Sequence, residues 1–118
     1  MKRFILFLTF AGFVTTNASA GGLFQDPTDP ELLVTSCTEA LQLFEAFDTD
    51  PNKKKFTTSR NEAFYSGYCI GRIEQYKQTV SYCGLYDPSW FSIAQVIVEA
   101  QKHGLPDTAQ ELLESACE

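Results

Sequence analysis

The four cysteines of this 118-residue chain constrain its fold more than any other feature of the sequence. They are Cys37, Cys69, Cys83 and Cys117. An even number of cysteines in a short chain indicates two disulfides if the protein reaches an oxidising compartment. The first residues predict that it does. Lys2 and Arg3 precede an apolar run from Phe4 to Val14, and small residues lead up to Ala20, which is the pattern of a cleaved secretory signal peptide.

The predicted organisation is a signal peptide over residues 1–20 and a single domain over residues 21–118. The apolar run is about half of the roughly 20 residues that a membrane-spanning helix needs, so we expect no membrane association after cleavage. Loss of Lys2 and Arg3 leaves seven basic against fifteen acidic residues, a net charge of −8. Nucleic acid is not an expected partner, because phosphate recognition needs clustered Lys and Arg.

Helical periodicity is the regular pattern of the remaining chain. Apolar and small residues recur at steps of three and four in segments near 30–47, 59–80, 88–102 and 107–117. No alternating strand pattern of useful length occurs. The predicted fold is therefore all-α, a small bundle of four to five helices with two disulfides.

Capping residues predict where these helices begin and end. Thr28 with Glu31 three residues later is a capping-box pattern, and the second helix is expected to start between Thr57 and Ser59. Asp87 is expected to cap the third helix ahead of Pro88, and Gly104 to end it.

Of the three ways to pair the four cysteines, helix geometry favours one. If residues 59–80 form one helix, half of that helix separates Cys69 from Cys83 at about 1.5 Å per residue, well beyond the roughly 7 Å Cα limit of a disulfide. An antiparallel pairing of the first two helices places Cys37 and Cys69 at similar depth. The predicted bridges are then Cys37–Cys69 and Cys83–Cys117.

Two glycines lie inside the second predicted helix. Gly67 and Gly71 form a row of small residues with Ala63, and each costs roughly 1 kcal/mol relative to alanine. We expect another helix to approach closely there, either within the fold or across a homodimer.

The sequence offers no constellation of catalytic or cofactor-binding residues. The predicted bridges occupy every thiol, and the single histidine, His103, has a structural role at a helix end. Phosphate-binding glycine loops, nucleophile elbows, and zinc or haem motifs do not occur. We expect a protein that is not an enzyme and that holds no metal and no cofactor.

A resemblance to a known family begins at Gly67-Tyr68-Cys69-Ile70-Gly71. Together with Glu31 to Cys37 upstream and Cys83, Pro88, Trp90 and Cys117 downstream, it makes residues 31–117 resemble the Tai-type immunity proteins of type VI secretion. The sequence departs from the family pattern in its second cysteine, since the family has cysteine at the position of Tyr65, one helical turn before Cys69.

The resemblance implies a periplasmic, disulfide-linked helical protein that binds a peptidoglycan-cleaving amidase toxin, blocks its active site, and often forms a homodimer. An alternative of a different class is a stress-related periplasmic module, such as a small helical holdase without a toxin partner. The acidic charge is compatible with steering towards a basic cell-wall enzyme.

The segment from Tyr82 to Trp90 is the predicted contact surface for a partner. It carries Tyr82, Tyr86 and Trp90, residue types that often anchor interfaces, next to Cys83. The alternative is that Trp90 and Leu85 cover the end of the bundle. A competing contact surface is the acidic loop that contains Asp48 and Asp50.

Overall fold

The structure of the protein is a computed structural model that describes residues 26–49, 59–84 and 86–118. Every regular element within these residues is a helix: α1 (Pro30–Thr49), α2 (Arg60–Thr79), α3 (Trp90–Ala100) and α4 (Ala109–Ala116). With its two disulfides, this arrangement confirms the predicted all-α bundle. The predicted signal peptide over residues 1–20, the domain start at Gly21, Asp50 and Leu85 lie outside the described residues.

Local capping explains where the first two helices start. The Ser59 hydroxyl accepts from the backbone N–H of Glu62 at 3.2 Å, and Glu62 Oε2 accepts from the backbone N–H of Ser59 at 2.8 Å. This capping box confirms the predicted start of α2. The predicted Thr28 box is wrong, because Asp29 Oδ1 accepts from the Glu31 N–H while Thr28 donates twice to Asp26.

The hydrophobic core draws on all four helices, and α1 packs against each of the other three. Its largest fully buried aliphatic side chains are Leu33, Ile73, Ile93, Ile97, Leu112 and Leu113. These positions follow the apolar stripes predicted from the helical spacing. The apolar stripe of α1 extends beyond the core as far as Phe44, a residue that is 43% exposed.

Both predicted disulfides are present. The Cys37–Cys69 bridge joins α1 to α2 with a Cα separation of 5.0 Å, and the Cys83–Cys117 bridge joins the α2–α3 connection to the end of α4 with a Cα separation of 4.6 Å. All four cysteines are buried, and no cysteine of the protein is free. The fold is thus cross-linked once at its centre and once at its C-terminal end.

Small buried residues accompany the central disulfide on both helices. Ser36 and Ala40 on α1 and Ser66 on α2 have almost no exposed surface. Neither serine hydroxyl has a hydrogen-bond partner among the described residues. Their small volume is what the 5.0 Å approach of the two backbones requires.

The glycine row of α2 lies on a different face. Gly67 and Gly71 are exposed, and a Cβ added at either would meet no described atom within 4 Å. The prediction that a helix of the same fold approaches these glycines is therefore wrong within the described residues, since Ser66 and Cys69 occupy the packed face instead. Approach by a second copy stays a prediction.

We predict that the oxidised protein takes up no alkylating reagent unless it is first unfolded and reduced, because all four thiols are paired and buried. Mass spectrometry after iodoacetamide treatment under non-reducing conditions measures this. Modification of Cys37 or Cys69 in the unreduced, unfolded protein would contradict the two-bridge assignment.

We also predict that Gly71→Ala raises the free energy of unfolding by about 0.5 to 1 kcal/mol, because alanine is the better helix former and has free space there. Urea denaturation at micromolar protein concentration measures it. Gly104→Ala is the matched control: it also has free space, but its φ of +94° disfavours a side chain, so stability is expected to fall. A loss of stability in Gly71→Ala would indicate a helix approaching this face in solution.

Candidate partner-binding loop

The connection between α2 and α3 exposes two tyrosines. We call the segment from Tyr82 to Trp90 the aromatic loop; the structure describes it apart from Leu85. The Tyr82 side chain is 66% exposed and that of Tyr86 is 93% exposed, the largest exposure among the big apolar side chains of the described residues. The structure thus brings two of the three predicted contact residues to the surface.

The start of the loop is fixed by the second disulfide and by a glycine. Cys83 is bonded to Cys117. Gly84 has a φ of +72°, and a Cβ at this position would lie 3.3 Å from Pro88 Cδ. The backbone angle favours glycine here, and a side chain would also need Pro88 to shift by a few tenths of an ångström. The two ends of the loop therefore pack directly on each other.

A lysine of α2 holds the other end. Lys77 Nζ donates to the Pro88 carbonyl oxygen at 3.0 Å and lies 3.2 Å from Asp87 Oδ1. The Lys77 side chain is only 17% exposed, whereas that of Asp87 is 80% exposed. The sequence analysis missed this residue, because a lysine in the last turn of a helix is common and nothing in the spacing links it to a loop ten residues later.

The start of α3 differs from the prediction. Ser89, not Asp87, is the N-cap, and its hydroxyl accepts from the backbone N–H of Ser92 at 3.3 Å. Asp87 instead adopts a φ of +46°, the left-handed region that non-glycine residues rarely enter. Its carboxylate faces Lys77 rather than the helix N-terminus. Ser89 lies two positions after Asp87 and is also a residue type that caps helices well, which is why α3 can begin there.

Trp90 is placed differently from the two tyrosines. Its ring packs edge-on against Phe44 of α1 with a centroid separation of 4.7 Å, and it also contacts Phe91 at 5.6 Å. It is half-buried and lies against the hydrophobic core. This placement agrees with the alternative in which Trp90 covers the end of the bundle.

The electrostatic surroundings of the loop are mixed. Partial burial raises the pKa of the Tyr76 hydroxyl, and the carboxylates of Glu114 and Glu118 raise it further. Glu118 follows Cys117, which is bonded to Cys83 at the start of the loop. Among the described residues, Lys77 is the cation that contacts the aromatic loop.

Two other surfaces are weaker candidates for a binding site. Asp48 of the competing acidic surface is exposed at the end of α1. A groove of about 850 Å³ separates α3 from α4 and is lined by apolar side chains including Val96, Leu105 and Leu112, with His103 at its edge. His103 is exposed there. Within the described residues, neither surface shows an arrangement specific to a ligand.

The described residues show neither a metal-binding cluster nor a membrane-spanning helix. No cluster of three or more His, Cys, Asp or Glu side chains within them is arranged to hold a metal ion. Among the same residues, no helix has the length and apolarity needed to cross a bilayer.

Comparisons with protein-family models, with curated proteins and with solved structures found no match for this chain.

We predict that Tyr86→Ala changes the free energy of unfolding by no more than about 0.5 kcal/mol, since its side chain packs on almost nothing. Trp90→Ala is expected to lower it by about 2 to 3 kcal/mol, because the packing on Phe44 and the core is lost. Thermal and urea unfolding of both variants measure this contrast. Equal losses would show that Tyr86 packs on the fold in solution.

Proposed function

We propose that this chain is an exported inhibitor that binds a secreted peptidoglycan amidase and blocks its active site, as the resemblance to Tai-type immunity proteins implies. The observation that carries the proposal is the exposure of Tyr86, 93%, on a loop whose backbone is tied down on both sides. An exposed aromatic side chain on a fixed loop is the typical anchor of an inhibitory interface.

The energetics of binding favour such a loop. Tyrosine offers a large contact area with few rotatable bonds, so little conformational entropy is lost when it is buried by a partner. The Cys83–Cys117 bridge and the Lys77 contacts already order the backbone beside Tyr86. Most of the ordering cost of association is therefore met during folding.

Compartment and charge are consistent with this function. Two buried disulfides are expected of a protein that folds in an oxidising compartment, and the predicted signal peptide leads to the periplasm. The net charge of −6 for the whole chain favours a basic partner. At the loop itself, the carboxylate of Asp87 is paired with Lys77, so the negative charge that would steer association lies on the rest of the protein.

We predict that Tyr86→Ala weakens inhibition of the cognate amidase by about 2 kcal/mol, or roughly 30-fold in the inhibition constant, because an interface anchor is lost. The assay follows the clearing of purified peptidoglycan by secreted amidases, with and without the oxidised protein lacking residues 1–20. Tyr82→Ala is expected to cause a smaller loss, because its side chain is less exposed.

Phe64→Ala is the matched control. Phe64 is an aromatic residue with 44% exposure on α2, where it stacks on Tyr68 rather than on the loop, so its removal is expected to leave inhibition unchanged. If Tyr86→Ala inhibits as strongly as the wild type, the contact surface lies elsewhere on the protein. A wild-type protein that inhibits no amidase, but prevents aggregation of unfolded proteins on acidification, would support the holdase instead.

A further inference from the structure

Lys77 occupies an unusual position for a lysine in the last turn of a helix. Its side chain is 17% exposed, and its ammonium group lies against the aromatic loop rather than in solvent. By contrast, Lys102, which pairs with Glu99, is 70% exposed. A half-buried ammonium group must find acceptors to offset lost hydration, and the two it finds are both on the loop: the Pro88 carbonyl oxygen and Asp87 Oδ1.

These contacts act on the residue that follows Tyr86. Asp87 has a φ of +46°, a conformation that is costly for a residue with a side chain. The ion pair at 3.2 Å holds the Asp87 side chain, and the hydrogen bond at 3.0 Å holds the backbone carbonyl of Pro88; together they favour this conformation. The direction in which Tyr86 leaves the fold therefore depends on Lys77.

The second disulfide and Gly84 contact the loop on either side of Tyr86 and Asp87. Cys83 and Gly84 hold its first half, against Cys117 and Pro88. Ser89 holds the point where α3 begins. Among the described residues, Lys77 is the side chain from another element that forms a polar contact with Asp87 or Pro88.

We propose that Lys77 is a positioning residue that holds Tyr86 in its binding orientation, so that the loop meets the enzyme in its bound backbone conformation. This inference rests on the proposed function for the role of Tyr86. If the bound conformation becomes a minor one, affinity falls in proportion to its population. Lys77 thus contributes to inhibition without touching the enzyme.

The first experiment needs no partner. Backbone ¹⁵N order parameters of Tyr86 and Asp87 are measured by NMR relaxation in the oxidised protein lacking residues 1–20. We expect values near about 0.85 in the wild type and below about 0.6 in Lys77→Met, with helix values unchanged. Lys102→Met is the matched control and is expected to match the wild type, because its ion pair lies away from the loop. Unchanged order parameters in Lys77→Met would overturn the proposal.

The second experiment uses amidase inhibition. Lys77→Met is expected to raise the inhibition constant about tenfold at an unchanged melting temperature, as it would if the bound conformation fell to about a tenth of the population. Lys77→Arg, which keeps a cation and several donors, is expected to recover much of this loss. Lys102→Met is expected to inhibit like the wild type.

Asp87→Asn covers the case in which Lys77→Met fails to fold. It removes the ion pair from the exposed partner, while asparagine tolerates the left-handed backbone, so intermediate losses of order and of inhibition are expected. A mobile loop with undiminished inhibition would overturn the positioning role and leave the proposed function standing. A wild type that inhibits no amidase would overturn both the proposed function and the binding role of Lys77, whereas the order parameters would still decide whether Lys77 fixes the loop.

Discussion

The disulfide between Cys37 and Cys69 is the constraint on which the rest of the structure depends. It holds α1 and α2 at a Cα separation of 5.0 Å in the part of the fold that is fully shielded from solvent. Because α1 also packs against α3 and α4, its position relative to α2 determines where those two helices can lie. Closing a segment of 32 residues in this way stabilises the fold by about 3 to 4 kcal/mol, mainly by restricting the unfolded chain.

The second disulfide has a different role, because it lies where the core ends. Cys83 and Cys117 join a connection between helices to the last turn of α4. Without that bond, both segments would be held by few apolar contacts and would fray. With it, the loop can leave Tyr86 in solvent and still keep a defined backbone. Two exposed tyrosines on a loop with a defined backbone are the reason that we connect this loop with binding.

The glycines of α2 lie on a different face of the helix from the small residues that pack against α1. Small residues do permit the close approach of α1, but they are Ser36 and Ser66, next to the cysteines. Gly67 follows Ser66 in the chain, and one residue corresponds to a rotation of about 100° around the helix. Periodicity located the row that contains Gly67 and Gly71, and only the packing showed that Ser66 faces α1 instead.

The sequence alone determined the helical segments, the start of α2 near Ser59 and the pairing of the cysteines, because each follows from geometry within a segment or from helix length. It also named Tyr82 and Tyr86. It did not determine that Trp90 packs on Phe44, that Ser89 rather than Asp87 caps α3, or that Lys77 reaches the loop. Those features were decided by the tertiary structure, since they depend on how α1, α2 and α3 meet in space. Four cysteines allow only three pairings, whereas nothing in the spacing limits the possible contacts of a tryptophan or a lysine in this way.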